Sequence, residues 1–222
     1  MRYGPGSSAY LFAREIPRTL ASARDRYLTA GVRVLDVGCG PQPYRDLFAD
    51  VAGVYDGSDI EPGPGVTYVC PAEALEVQDG SYDLVLCTQV LHLVRRPQRA
   101  LEEFARILTP GGYVFATTHG VYPYHPGPHD YWRWTQDGLP ALIEDVAGLE
   151  LVELVPHGGS GATVAVTINT PLRQISRALG SELIGAPLIA VVNAVGSVID
   201  RLLPPRARAA LIPNFLVVAR RR

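Results

Sequence analysis

Lysine is absent: all 20 basic residues of this 222-residue chain are arginines. That excludes a lysine Schiff base and a lysine general base from any mechanism. An excess of positive charge is also missing, since 22 acids leave a formal net charge of −2. Nucleic-acid backbones are bound by concentrated positive charge, so a small or neutral substrate is expected instead. Cysteine is sparse, and Cys39, Cys70 and Cys87 are scattered, each in an apolar, strand-like context. They read as small buried side chains in a reducing compartment, not as a disulfide framework or a metal site. The opening stretch, MRYGPGSSAYLFAREIP, holds no continuous apolar run of the kind a secretory signal needs, which points to the cytoplasm.

What is present is a composition of 47% hydrophobic and 19% charged residues, which suits one folded domain spanning 1–222. The pattern predicts an N-terminal helical cap over 1–30, with a helix from about Ala9 to Ala30. VRVLDV, GVYDGSDI, VTYV, YDLVLC and GYVFATT read as buried strands, and PQRALEEFARI as a helix stopped by Pro110-Gly111-Gly112. Thr135 is the expected N-cap of a helix through TQDGLPALIEDVAG, followed by strand LELVELV and, after a long insertion, strand NFLVVARR. Strands alternating with helices predict an α/β fold, a doubly wound, mostly parallel sheet.

The insertion, 157–213, reads as helices within the domain, its second half interrupted by Gly185, Pro187, Asn193 and Gly196. Packing on the domain or at a homodimer interface is one reading; contact with a membrane surface or a lipid-linked substrate through 183–203 is the other.

Residues 34–44, VLDVGCGPQPY, place an acid at a strand end and then a glycine turn leading into a helix. Glycines let a ligand approach the backbone, and an open helix N-terminus favours anionic groups, so a nucleotide-like ligand is implied. The dinucleotide pattern G-x-G-x-x-G would need glycine at Pro43, and Asp36 would repel a pyrophosphate while suiting an ammonium group.

VLDVGCG, GSDI, PAEALEVQDGSYDLVLCTQVLHLV and LTPGGYVFATT, in this order over Val32 to Thr118, resemble the motifs of the class I S-adenosylmethionine-dependent methyltransferases. The resemblance implies a seven-stranded Rossmann-like sheet, in which the insertion read above falls before the last strand, and S-adenosyl-L-methionine as cofactor. By that likeness Asp36, Gly38 and Gly40 contact the methionine part and Asp59, beside Ile60, the ribose hydroxyls. Ala72 or Glu73 would serve the adenine, because Pro71 stands where many members carry an aspartate, and Thr88 and Gln89 complete the cofactor set. Gln42 replaces the third glycine of the family's turn. GCGPQPYRDLF, YDGSDI and HPGPHDYWRWT are similar to a bacterial subgroup associated with polysaccharide or natural-product pathways, which implies a small-molecule acceptor.

Methyl transfer to a hydroxyl benefits from a base, and histidine suits neutral pH. His119 and His129, both in the loop after the fifth strand, are equal candidates, while ordering of a proline-rich loop is the competing reading of all its histidines. His125, Tyr131, Trp132 and Arg133 are candidates for the acceptor pocket, with one tryptophan expected inward and one toward the cleft. Three rival readings remain: a same-fold enzyme using the cofactor without methylation, a non-catalytic scaffold, and a nicotinamide oxidoreductase disfavoured by Pro43.

Overall fold

The computed structural model describes residues 4–125, 127, 129–180 and 182–222, with 182–184 as backbone only. Residues 1–3 of the predicted cap, Pro126 and Pro128 of the histidine-bearing loop, and Ser181 and the side chains at 182–184 of the insertion therefore lie outside the described residues.

Seven strands form one sheet: β1 (Val32–Val37), β2 (Ala52–Asp59), β3 (Tyr68–Val69), β4 (Tyr82–Thr88), β5 (Leu108–His119), β6 (Leu149–His157) and β7 (Asn214–Arg221). Their order is β3-β2-β1-β4-β5-β7-β6, and β7 runs antiparallel to both its neighbours. The central strands alternate between two cores, as a period of two requires when both faces are covered. Leu35, Val85 and Val114 face α3 (Pro97–Ile107) and α4 (Gly138–Glu144), sharing a cluster with Leu101, Phe104 and Ile143. Val34, Leu84 and Phe115 face the other way, onto α1 (Tyr10–Ala13) and α2 (Ile16–Tyr27) with Phe12, Ile16 and Leu20.

Four local expectations need correction. The N-terminal helix is two helices, α1 and α2, and α2 ends at Tyr27. No α-helix follows the glycine turn; Arg45–Phe48 form a single 3₁₀ turn. Pro41 and Pro43 remove two amide donors and disfavour helical backbone in the residues before them, so the expected open helix N-terminus does not form there. Helix α3 stops at Ile107, where Leu108 turns extended, and Pro110-Gly111-Gly112 already belong to β5. Finally, the residues expected to interrupt the insertion do not break it: α6 (Glu182–Leu202) runs through all four of them and pairs with α5 (Ser160–Ala178) as a hairpin, followed by α7 (Pro205–Arg208).

The hairpin closes on small residues. A Cβ on Gly161 would stand 2.2 Å from the Gly196 carbonyl oxygen, so only glycine permits this crossing. Asn193, buried on α6, accepts from the Asn169 amide at 3.0 Å and donates to the carbonyls of Pro5 and Ser7 at 2.7 and 2.9 Å. The N-terminal segment is thereby tied to the insertion.

Arg106 of α3 organises the chain between β3 and β4. Its guanidinium donates to the carbonyls of Leu75 and Val77 at 2.9 and 2.7 Å, while Glu103 accepts the Leu75 N–H at 2.9 Å. Arg106→Ala leaves those carbonyls without their partner beside buried Leu75 and Val77. The expected cost is about 1–3 kcal/mol of stability, read by urea denaturation.

Candidate functional site

A parallel sheet brings its carboxyl-terminal strand ends to one edge, and the candidate residues gather there. Asp36, near the end of β1, is 1% exposed. The Tyr55 hydroxyl of β2 donates to its Oδ2 at 2.8 Å, whereas Oδ1 is buried with no partner. Burial pushes the carboxyl up to about 7; Tyr55 opposes the shift and Asp59 adds to it.

The turn that follows bends through left-handed backbone at Gly38 (φ +66°) and Gly40 (φ +46°). A Cβ on Gly38 would stand 2.3 Å from a Val90 methyl, so this glycine is required on steric grounds as well. Gln42 adopts φ +52°, the conformation glycine takes most readily. Its amide nitrogen donates to the Gly65 carbonyl at 2.7 Å and its oxygen accepts from Arg45 at 2.8 Å. The first bond ties the turn to the β2–β3 connection, and together they help hold the backbone where a third glycine would otherwise be used.

Asp59, ending β2, accepts the Gly40 N–H at 2.9 Å and the Ile60 N–H at 2.7 Å, which aims its carboxylate at the turn. Beside it opens a cavity of about 320 Å³. Gly38, Asp59, Ile60, Ala72 and Glu73 line one part of it, and Val90, Leu93, Val94, Arg95, His129 and Tyr131 the other. Asp36, Gly40, Thr88, Gln89, His119, His125, Trp132 and Arg133 are not among its lining residues. Glu73 accepts the Arg96 N–H at 3.3 Å.

The loop after β5 folds back over the strand ends. The backbone N–H groups of Tyr131 and Trp132 donate to the His92 carbonyl at 3.0 and 3.2 Å, and that of Trp134 to the His119 carbonyl at 3.1 Å. Arg133 donates to the carbonyls of Tyr122 and Pro123 and forms an ion pair with Asp130. Burial raises the Asp130 carboxyl, but bonds from Arg133 and the His125 N–H outweigh it and hold it at about 2. Arg133 is thus engaged in ordering the loop. The two indoles stack 5.7 Å apart, Trp134 against the core and Trp132 on the outside, where it donates to the Val94 carbonyl at 2.9 Å.

The two candidate bases differ in environment. His129 is exposed on the cavity wall, its ring 5.5 Å from that of Tyr131. His119 is buried, stacked on Tyr122 at 3.9 Å and 4.1 Å from the His92 ring. Burial, with His92 and Arg133 nearby, pulls its imidazole down to about 2, and burial takes that of His92 down to about 4.

Behind these residues runs a buried polar chain centred on Asn214, the first residue of β7. Its amide oxygen contacts His157 Nδ1 at 2.9 Å, and its nitrogen donates to Gln89 Oε1 at 3.1 Å and faces His119 Nδ1 at 3.3 Å. His157 Nε2 in turn meets the Thr19 hydroxyl at 2.8 Å. With the amide so oriented, His157 carries its proton on Nδ1, and neutral His119 accepts at Nδ1 and keeps its proton on Nε2. Gln89, at φ +60°, spends its other end on Thr117 at 2.9 Å. Tyr55, Asn214 and Arg95 escaped the sequence reading. Only Arg95 had a local signal, lying directly after the apolar stretch that ends β4 and its loop. All three cysteines are buried and unpaired, and among the described residues no group of three metal-ligating side chains comes together.

A buried acid with an orphaned oxygen, a glycine cradle and a second acid aimed at it define a site for a nucleoside-bearing ligand with a cationic group. A family described as "Methyltransferase domain" matches residues 35–116. A ubiquinone biosynthesis O-methyltransferase of Burkholderia vietnamiensis is 36% identical over 179 residues, covering 66% of this chain and 77% of that protein. Its counterpart in Burkholderia thailandensis is 31% identical over 155 residues, covering 56% and 67%. This chain belongs to the S-adenosylmethionine-dependent methyltransferases, and S-adenosylmethionine is its cofactor.

Among solved structures, an S-adenosylmethionine-dependent methyltransferase of Aquifex aeolicus superposes with a TM-score of 0.55 at 16% identity over the whole of both chains. The 4+2 cyclase SpnF gives 0.60 at 21% identity, covering 94% of this chain and 81% of that one. Both likenesses are of fold.

Asp36 makes stability depend on pH in a definite direction. Its folded value, about 7, lies above the 3.8 of a free carboxyl, so the folded state binds the extra proton. Its contribution to stability is fully present below about pH 3.8 and is lost as pH rises from there to about 7. Asp36→Asn, which mimics the neutral acid, should match the wild type only near pH 4 and exceed it increasingly up to pH 7, where the gap levels, by on the order of 4 kcal/mol at most. Denaturation of the cofactor-free protein at the two pH values measures this.

Proposed function

We propose that this enzyme transfers a methyl group to an oxygen of a small acceptor, with His129 as the general base. The observation that carries the reading is that His129 and Tyr131 share one cavity with Gly38 and Asp59. Oxygen is favoured because the relatives described above are named O-methyltransferases of ubiquinone biosynthesis. The acceptor wall is largely apolar, with Val90, Leu93, Val94 and Tyr131, which suits a phenolic or other apolar hydroxylated compound better than a saccharide.

In this reading Asp36 faces the cofactor's amino group, Gly38 and Gly40 let its methionine part approach, and Asp59 accepts from the ribose hydroxyls beside Ile60. Ala72 and Glu73 flank the adenine, and Thr88 and Gln89 shape the floor without their side chains entering. When bound, the cofactor would supply an electrophilic methyl group on a sulfonium whose leaving group is a neutral thioether. The acceptor's O–H proton passes to the His129 ring as the oxygen bonds to the methyl carbon. His119, buried and protonated on Nε2, takes the part of a packed donor; His125, Trp132 and Arg133 order the loop that carries His129.

Cofactor affinity should follow Asp36. Below pH about 7 the acid is neutral and gives up its attraction for an ammonium group, so affinity rises with pH through that value and then levels, by up to about tenfold per unit. Calorimetric titration across this range should show that rise in the wild type and a flat, weak profile in Asp36→Asn; a flat wild-type profile would remove Asp36 from this role. With an acceptor found by screening, His129→Asn should lower kcat by about 10²-fold or more without changing cofactor affinity. A product of unchanged mass would instead favour a non-methylating use of the cofactor.

A further inference from the structure

The α5–α6 hairpin buries one side against the body of the protein and leaves the other apolar. On α5, Val164, Ile168 and Ile175 recur at spacings of four and seven, and on α6, Val191, Val195 and Val198 at four and three. All six are between 44% and 58% exposed, so each helix carries an apolar stripe on its outer face. Val164, Ile168, Val191 and Val195 also line one shallow groove between the helices, which makes the two stripes a single face. From Leu188 to Leu202 the α6 stripe runs about 21 Å. Contiguous apolar surface of this kind marks an interaction site.

Charge selects the occupant. Residues 157–213 contain five arginines and two acids, leaving fifteen basic and twenty acidic residues elsewhere in the chain. Arg173 and Arg177 lie toward the hairpin's turn, and Arg201, Arg206 and Arg208 at its base. Of the acids, Asp200 accepts the N–H groups of Gly161 and Ala162 and so caps α5. An apolar face with arginine at both ends matches the interface of an anionic bilayer, where the side chains enter the acyl boundary and the guanidinium groups meet phosphates. A second copy of the chain fits less well, because packing in either direction would set arginine against arginine.

We propose that the α5–α6 hairpin docks this methyltransferase on an anionic lipid surface, lying along it. Gly185–Leu202 is long and apolar enough to cross a membrane, yet its buried Asn193 is bonded to Asn169, Pro5 and Ser7, which holds α6 to the protein body. Docking has a route to the acceptor side. Leu11 of α1 packs with Ala162 and Ala165 of α5, while the next residue, Phe12, meets the His119 and Tyr122 rings edge-on at 5.9 and 5.6 Å. The proposal stands apart from the identity of the acceptor and is tested without turnover.

The experiment is flotation of the 222-residue protein with phosphatidylglycerol-containing vesicles and with neutral phosphatidylcholine vesicles, at low and high salt. The wild type should float with the anionic vesicles, and much less with neutral ones or in high salt. Val191→Asp/Val195→Asp should reduce the floated fraction about tenfold while S-adenosylmethionine binding persists. Arg173→Gln/Arg201→Gln/Arg206→Gln, which spares the apolar face, should weaken anionic binding independently should the first variant fail to fold. Protein that stays at the bottom of every gradient overturns the proposal. So does a monodisperse dimer that the first variant converts to monomer, since the face is then buried between two copies.

Discussion

Burial of the central strands on both faces is the constraint on which the rest depends. With Leu35 and Val85 packed into one core and Val34 and Leu84 into the other, these strands have no solvent-facing side on which to carry polar chemistry. Polar groups are consequently pushed to the strand ends, and parallel connection brings those ends to one edge. Asp36 is the extreme case. It lies far enough inside for burial to govern its proton, yet close enough to the edge for the glycine turn to begin two residues later.

The turn itself shows how one local feature can replace another. Left-handed backbone is needed at three positions, and the third is filled by Gln42 in place of glycine. Two side-chain hydrogen bonds help offset the strain of that residue; the one to Gly65 joins the turn to the β2–β3 connection, and Gly57 of β2 and Gly65 leave space for the amide. The two prolines nearby suppress the helix that would normally follow, so the ligand edge is a set of turns cross-linked by side chains.

On the opposite side of the edge, Asn214 coordinates elements distant in sequence. It touches Gln89 beyond β4, His119 at the end of β5 and His157 at the end of β6, and through His157 reaches Thr19 of α2. A neutral hydrogen-bond chain buried at Asn214 and His157 resists charging and keeps His119, at the end of β5, neutral, whereas His129 in the loop beyond is exposed. The insertion follows the same division: on its inner face Asn169 donates to Asn193, which donates on to the N-terminal segment, and its outer face is left apolar.

Much of this was legible in the sequence. The strands β1, β4 and β7, the acid-ended glycine turn, the second acid at Asp59 and the helical nature of the insertion follow from local patterns: β-branched runs, glycine at left-handed positions and helical spacing of apolar residues. The helix expected from Thr135 begins later, at Gly138 with Asp137 in the N-cap position, although the Thr135 hydroxyl accepts the Gly138 N–H at 2.9 Å. What local pattern could not supply is partnership across the chain. That Tyr55 bonds Asp36, that Asp130 engages Arg133 and Asn214 governs His119, and that Val164 and Val191 share an exposed groove depends on which strands and helices become neighbours. A residue's chemical type and local spacing are written in sequence, whereas its burial and its partner, and with them its proton and its availability, are decided only when the tertiary structure closes around it.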